Sequence, residues 1–172
     1  SRYSESIRTI RTAVSLSARK PPRTLLVTSA VPGEGKTSIA LSIARSAAKA
    51  GLRTVVVDCD MRAPSLHLGL GVPNIRGLAE FLSGGAELEE LLEIDDYSGV
   101  HFMTAGQFDY HVAELLGGEP MAQLLDRLAN VYEFVVFDSP PILAVSAVRL
   151  LLELIQRSLC VVRWGETNRE AV

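Results

Sequence analysis

Cysteine is scarce in this sequence, which has only Cys59 and Cys160 among its 172 residues. Both lie in apolar runs, so we expect buried free thiols in a reducing compartment, and a disulfide-stabilised secreted scaffold is excluded. Charge of one sign is not in excess either, because 17 basic and 20 acidic residues give a net charge of −3. This balance argues against a nucleic-acid partner, since such proteins are usually strongly basic.

Long apolar runs are also absent. The most apolar stretch, residues 140–155, is interrupted by Arg149 and Glu153, and no secretory segment stands at the start, so we expect no membrane span within these residues. Apolar residues make up 48% of the chain and charged residues 22%, which indicates a folded domain rather than a disordered chain. Because the sequence opens at Ser1 without a Met and stops within a polar, helix-like run, we expect a piece of a longer protein.

Short runs rich in β-branched residues alternate with longer helical patterns. The short runs predict strands at residues 24–29, 54–58, 100–104, 134–138 and 159–163. The longer patterns predict helices at residues 3–16, 36–50, 77–82 with 87–93, 113–132 and 143–156. This alternation predicts an α/β fold in three layers, with a mostly parallel sheet between helices. Ligands of such folds gather at the carboxyl ends of the strands.

A glycine-rich loop of sequence AVPGEGKT occupies residues 30–37, directly after the first predicted strand and before a predicted helix. This spacing is typical of a P-loop, in which glycines aim backbone N–H groups at phosphates, a lysine reaches the outer phosphates and a Thr hydroxyl ligates Mg²⁺. The alternative is a glycine-rich turn that only starts a helix. We predict that the nucleotide is bound by Val31, Pro32, Gly33, Glu34, Gly35, Lys36, Thr37 and Ser38.

Carboxylates follow two of the apolar strands. Asp58 and Asp60 close the second strand, and Asp138 closes the fourth. Because side chains alternate along a strand, we expect at most one of Asp58 and Asp60 to point the same way as Asp138, which suits a magnesium shell. One of the pair could act as a base and the other could hold the metal, but all three could instead be helix caps or turn acids. Arg62 is predicted either to pair with Asp60 or to touch phosphate.

These motifs together resemble a known family. Residues 30–37 (Walker A), 55–62 (VVVDCDMR, Walker A′) and 134–138 (Walker B) are similar to those of the bacterial protein-tyrosine kinases, the cytoplasmic domains of polysaccharide co-polymerases that govern capsule and exopolysaccharide export. The likeness extends over nearly the whole chain, and Walker A′ is its most specific part.

The resemblance implies transfer of the γ-phosphoryl group of ATP, with Mg²⁺, to tyrosine hydroxyls, mostly on neighbouring copies. It implies that Lys36 stabilises charge on the transferring group, that Thr37, Asp60 and Asp138 hold the metal, and that Asp58 is the candidate base. It further implies a membrane co-polymerase partner and a place at the cytoplasmic face of the bacterial inner membrane.

The leading helix carries two distinct stripes. Glu5, Arg8 and Arg11 share one side, while apolar residues at positions 7, 10 and 14 form another. From the residues alone the charged side could be a solvated face. The resemblance implies instead that it packs against the next subunit of a ring. We expect residues 1–20 to form this leading helix and residues 21–172 the P-loop kinase or ATPase region, both within a single domain.

Several positions depart from the family pattern. The family has a cluster of tyrosines at its extreme C-terminus as phosphate acceptors, whereas the four tyrosines here are scattered. Either such a tail lies beyond Val172, which the truncated look of the end favours, or self-phosphorylation does not work this way here. Ala147 and Gln156 stand where the family usually has Asp, which leaves slower or altered chemistry open. Residues 107–112 (QFDYHV) replace a proline- and asparagine-rich loop.

Two alternatives remain. A ParA/MinD-type switch ATPase would share the fold, but that class places a lysine near the start of the phosphate loop, where this chain has Val31. A catalytically weak ATP-binding module of a ring is the other, because a fold does not determine its chemistry.

Overall fold

A computed structural model describes all 172 residues, which form a six-stranded sheet between two layers of helices. The strands run in the order β3-β4-β2-β5-β1-β6, and every neighbouring pair is parallel except β3 and β4. The predicted mostly parallel α/β sheet is therefore confirmed. Their bounds are β1 Thr24–Ser29, β2 Thr54–Asp58, β3 Glu93–Ile94, β4 His101–Met103, β5 Phe134–Asp138 and β6 Arg157–Val161.

Eight α-helices cover the sheet, and none of them combines the length and apolarity needed to cross a membrane. Two short 3-10 turns, Leu115–Gly117 and Arg169–Ala171, accompany them. The helices are α1 Arg2–Leu16, α2 Lys36–Lys49, α3 Leu66–Leu70, α4 Leu78–Leu82, α5 Leu88–Leu91, α6 Tyr110–Glu114, α7 Glu119–Val131 and α8 Ala147–Leu154.

The core consists of two apolar layers, one on each face of the sheet. Successive residues of β1 alternate between them: Leu25 and Val27 pack with α1, α2 and α3, whereas Leu26 packs with α4, α5, α7 and α8. Every residue of β1, β2 and β5 is buried. Strands covered on both faces require near-continuous apolar runs, which is why these three could be predicted with their observed bounds.

The leading helix α1 lies on α2. Ile7 is buried in the core layer of that face, and Ile10 and Val14 pack against it, as the apolar stripe predicted. The hydroxyl of Tyr3 also hydrogen-bonds Ser42 Oγ on α2 at 2.8 Å. The charged stripe lies outside this packed face of α1, since Glu5 and Arg8 are exposed and Arg11 is half-buried.

Other elements differ from the predictions. Strand β3 and helix α3 were not predicted. Strand β6 begins two residues before the predicted strand at residues 159–163, and α8 is shorter than the predicted helix at residues 143–156. The prediction that both cysteines are buried is wrong for Cys160, which is exposed. This residue lies on the edge strand β6, where Leu159 and Val161 face the core layer and Cys160 faces the opposite way.

One glycine is required by a close backbone approach. A Cβ atom built on Gly77 would lie 1.9 Å from the carbonyl oxygen of Thr104, because the start of α4 hydrogen-bonds directly to that carbonyl through Leu78 N. We predict that Gly77→Ala lowers the free energy of unfolding by about 3 kcal/mol, measured by chemical denaturation. Gly85→Ala is the matched control, because its Cβ would meet no atom closer than 3.5 Å. Equal stability of the two variants would contradict this account.

Candidate active site

The carboxyl ends of β1, β2 and β5 meet at one edge of the sheet. Asp58 pairs in register with Asp138, and Val27 on β1 pairs with Asp138 from the other side. The backbone continues this contact, since Cys59 N donates to the carbonyl oxygen of Asp138 at 2.8 Å. The loop after β1 therefore lies beside the end of β5, and the end of β2 is one strand further along the same edge.

The P-loop depends on two glycines. Gly33 and Gly35 have φ values of 82° and 86°, in the left-handed region that other L-residues rarely adopt. Gly35 is also the N-cap of α2, and the helix begins at Lys36. A helix N-terminus presents free N–H groups and a partial positive charge, so this end of α2 is suited to bind phosphate.

Glu34 is bonded within the protein rather than free to face a ligand. Its carboxylate accepts hydrogen bonds from Val31 N at 3.0 Å, from Arg163 N at 3.3 Å and from the Thr167 hydroxyl. Arg163 also donates from its guanidinium to the carbonyl oxygen of Gly33 at 2.9 Å. Partial burial raises the pKa of Glu34, but hydrogen bonds, chiefly from Thr167, outweigh it and hold this pKa below its usual value.

This link between the P-loop and residues 163–167 was missed from the sequence, because Glu34 and Arg163 are far apart along the chain and no motif connects them. Because these hydrogen bonds occupy the Glu34 carboxylate, only the backbone of Glu34 is available to a nucleotide.

Lys36 lies at the centre of the site. Its Nζ is 3.0 Å from Asp60 Oδ2 and 3.3 Å from Asp138 Oδ1. Burial lowers the pKa of Lys36, but the carboxylates of Asp138 and Asp60 outweigh it and raise the pKa above its ordinary value. The lysine therefore stays charged and bridges the ends of β2 and β5.

Thr37 and Asp138 present hard oxygen atoms to the same point. Thr37 Oγ1 donates to Asp138 Oδ2 at 2.6 Å and lies 2.7 Å from Ser65 Oγ. Protein Mg²⁺ sites commonly use one or two carboxylates and complete the shell with water and substrate phosphates. The chain has no group of three or more His, Cys, Asp or Glu side chains that could hold a metal ion by themselves. These residues therefore fit a magnesium ion that arrives with a nucleotide.

Asp58 caps backbone N–H groups. Its Oδ1 accepts from Asp60 N at 2.9 Å, and its Oδ2 accepts from Ser65 N at 3.2 Å and Leu66 N at 3.1 Å, where α3 begins. The capping role that the sequence left open is thus observed. Burial raises the pKa of Asp58 to about 7, and the nearby charge of Asp138 contributes to the increase. Asp60, not Asp58, shares Lys36 with Asp138.

Arg62 does not pair with Asp60, so that alternative is wrong. Asp60 Oδ1 accepts from Ala63 N and its Oδ2 faces Lys36, while the Arg62 guanidinium lies over the Tyr110 ring at 4.8 Å and the Phe108 ring at 5.8 Å.

A cavity of about 840 Å³ joins these groups. Arg62 lines it together with Lys36, Thr37 and Asp60, and Pro140 and Pro141 form part of another wall. A cavity of this size suits a ligand as large as a nucleotide. The predicted nucleotide contacts Pro32, Gly33, Gly35 and Ser38 also line it, whereas Val31 and Glu34 do not.

Comparison with known proteins agrees with this geometry. Residues 25–159 match the CbiA family of CobQ/CobB/MinD/ParA nucleotide binding domains. The chain is also 32% identical over 168 residues to the tyrosine-protein kinase YwqD of Bacillus subtilis, which covers 97% of this chain and 71% of that protein. The chain belongs to the bacterial tyrosine-protein kinases. The resemblance found in the sequence is thereby confirmed.

A second relative is much longer than this chain. It is 32% identical over 169 residues to the tyrosine-protein kinase Etk of Escherichia coli K12, which covers 98% of this chain and 23% of Etk. The chain thus spans about a quarter of that relative. The solved kinase domain of Escherichia coli Etk has a TM-score of 0.93 at 30% identity, over 98% of this chain and 66% of the solved one.

A more distant structure shows the fold alone. MinD of Pyrococcus horikoshii, solved with Mg-ADP, has a TM-score of 0.67 at 23% identity, over 81% of this chain and 57% of that chain. The P-loop fold is therefore shared with nucleotide-binding proteins outside the kinases.

The two positions at which the family usually has Asp lie at different ends of the sheet. Gln156 Oε1 accepts from Arg23 N and Thr24 N where β1 begins, at the amino end and away from the site. Ala147 begins α8, after the segment that follows β5 at the carboxyl end. Gln156 therefore links β1 to β6, and only Ala147 lies toward the carboxyl edge of the sheet, where the candidate site is.

The site holds more buried negative charge than positive charge. Asp58, Asp60 and Asp138 are all buried, and Lys36 is the only cation that pairs with any of them. Removing one partner of a buried ion pair is strongly destabilising when it leaves charge uncompensated. We predict that Lys36→Met lowers the free energy of unfolding by about 3 kcal/mol in the absence of Mg²⁺ and nucleotide, whereas Asp138→Asn raises it by about 1 kcal/mol.

The measurement is urea denaturation of both variants. Asp126→Asn on the exposed side of α7 is the control and should leave stability nearly unchanged. If Asp138→Asn destabilises the protein as much as Lys36→Met, the site does not carry an excess of negative charge.

Proposed function

We propose that this chain is the catalytic part of an ATP-dependent protein-tyrosine kinase that transfers the γ-phosphoryl group of MgATP to tyrosine hydroxyls, mainly on other copies. The observation that carries the proposal is the Lys36 ammonium group, held between Asp60 and Asp138 at the start of the P-loop helix. The 32% identity to a tyrosine-protein kinase across 97% of the chain supports the choice of acceptor.

Each residue has a defined task in this proposal. The backbone N–H groups at residues 33–37 bind the phosphates, and Lys36 neutralises charge on the group being transferred. Thr37 and Asp138, with Asp60 close by, would hold Mg²⁺, which neutralises charge on the phosphates when it is bound. Phosphoryl transfer requires mainly positioning and charge neutralisation, which these groups provide.

Asp58 is the proposed base. A pKa of about 7 suits proton transfer near neutral pH. Its carboxylate is fully buried and bonded to three backbone N–H groups, so access of a tyrosine hydroxyl requires movement of the segment between β2 and α3.

The wider role follows from the family resemblance. The proposed enzyme acts at the cytoplasmic face of the bacterial inner membrane, with a membrane co-polymerase as partner and its own C-terminal tail among its substrates, and regulates export of capsular or extracellular polysaccharide. The ring is proposed to form through Glu5, Arg8 and Arg11, of which Glu5 and Arg8 are exposed on α1.

Lys36→Met tests the kinase reaction. We predict a fall of at least about 100-fold in phosphate transfer from labelled ATP to a copolymer of glutamate and tyrosine, because the charge on the transferring group loses its partner. Lys49→Met is the matched control, since Lys49 is exposed at the far end of the same helix and lies outside the cavity. If wild-type protein binds ATP but labels no tyrosine, the ATP-binding ring module is favoured over the kinase.

The ring proposal has its own test. Replacing Arg8 and Arg11 together with alanine is expected to shift the protein from a higher-order species to a monomer in sedimentation velocity. Arg19→Ala with Lys20→Ala is the control, because it removes the same charge just beyond the end of α1. Identical sedimentation of both double variants and the wild type would contradict an interface at the charged stripe.

A further inference from the structure

We propose that a second cavity, between α1 and α2, binds a small phosphate monoester at a site separate from the P-loop. This cavity has a volume of about 420 Å³, half that of the nucleotide cavity. Four of the residues that line it are cations, and none is an acid. The cations are Arg8 and Arg11 on α1 and Arg45 and Lys49 on α2.

This positive charge is concentrated in a protein whose net charge is −3. Of the four cations only Arg45 makes an ion pair, with its Nε 2.9 Å from Asp95 Oδ2. The charges of the other three are therefore uncompensated within the chain. A concave surface lined by charge of one sign attracts counter-ions, so the cavity favours an anion over a neutral or cationic ligand.

Two of the arginines are held by their Nε atoms alone. Arg11 Nε donates to Ser46 Oγ at 3.2 Å, and Arg45 Nε donates to Asp95 Oδ2 at 2.9 Å. The terminal nitrogens of both guanidinium groups have no hydrogen-bond partner in the chain. These nitrogens are the donors that pair with the oxygens of a phosphate group.

Helix α2 brings its polar side chains to the cavity on one face. Ser42, Arg45, Ser46 and Lys49 are three or four residues apart, so they are neighbours on the helix surface. The Tyr97 ring orders the two cations of this face, since its centre is 5.5 Å from the Arg45 guanidinium and 4.6 Å from Lys49 Nζ. Ordering before binding lowers the entropy lost when a ligand arrives.

The number of donors favours a phosphate monoester over a carboxylate. A phosphate monoester has three strong acceptor oxygens and close to two negative charges at neutral pH, which several cations on two helices can share. The hydroxyls of Tyr3, Ser42 and Ser46 line the same cavity as neutral groups. Its volume exceeds that of a phosphate ion and leaves room for an organic group bonded to the phosphate.

This site is distinct from the P-loop. None of residues 30–37 lines it, and Lys49 lies thirteen residues beyond Lys36 in α2, roughly 20 Å along the helix axis. Ser42 and Arg45 line both cavities, so the two sites are neighbours along the same helix.

The test measures the affinity of the chain for glucose 1-phosphate by broadening of its ³¹P resonance, with Mg²⁺ and excess ADP present to occupy the P-loop. Lys49→Gln is expected to lower this affinity about fivefold, because one charge-assisted contact is lost. Lys49 is exposed, so its replacement leaves the fold intact. Arg45→Gln together with Lys49→Gln should lower the affinity at least about 20-fold. Lys20→Gln is the matched control, because it removes the same charge from an exposed residue outside the cavity.

Three outcomes would overturn the proposal. Unchanged affinity in both α2 variants would show that glucose 1-phosphate is bound elsewhere. Equal affinity for glucuronate, a sugar of similar size with a carboxylate, would contradict the choice of phosphate. Equal affinity for inorganic phosphate would contradict the choice of an ester, because the organic group would then make no contact.

The result is independent of the functions proposed above. No phosphoryl transfer is measured, so the kinase function stands or falls separately. Arg8 and Arg11 also belong to the charged stripe to which the ring is assigned. The variants are therefore placed on α2, where they leave that stripe unchanged.

Discussion

The ion pairs of Lys36 are the interaction on which the rest of the site depends. Its ammonium group is 3.0 Å from Asp60 and 3.3 Å from Asp138, and so connects the start of α2 to the ends of two separate strands. Three buried carboxylates beside one cation are costly to keep in a protein interior. Such an arrangement is characteristic of a site built to receive further positive charge, which a magnesium ion accompanying a nucleotide would supply.

The sheet provides the geometry for these contacts. Because β5 lies between β2 and β1, Asp138 has Asp58 on one side and the strand leading to the P-loop on the other. Burial of the three strands on both faces fixes their register, so the aspartates cannot move independently. The P-loop is held from outside as well, through the hydrogen bonds of Glu34 to Arg163 and Thr167. The site is therefore held by the sheet on one side and by the segment after β6 on the other.

Much of this was predictable from local pattern. The apolar runs of β1, β2 and β5 gave their observed bounds, and the spacing of Gly33, Gly35 and Lys36 predicted the loop. Contacts between segments far apart in sequence were not predictable, since neither Glu34 with Thr167 nor Arg62 with Tyr110 belongs to a motif. The exposure of Cys160 was missed for a related reason, because an apolar run does not reveal whether its strand lies at the edge of the sheet.

Thr37, Asp60 and Asp138 are proposed to form a magnesium site that is completed by a nucleotide on the P-loop. A crystal structure with Mn²⁺ and a non-hydrolysable ATP analogue tests it most directly, because the anomalous signal of manganese locates the metal. We expect manganese bound directly to Thr37 Oγ1 beside Asp138, with Lys36 turned from a carboxylate to a phosphate oxygen. Manganese bound elsewhere, with both ion pairs of Lys36 intact beside the bound analogue, would contradict it.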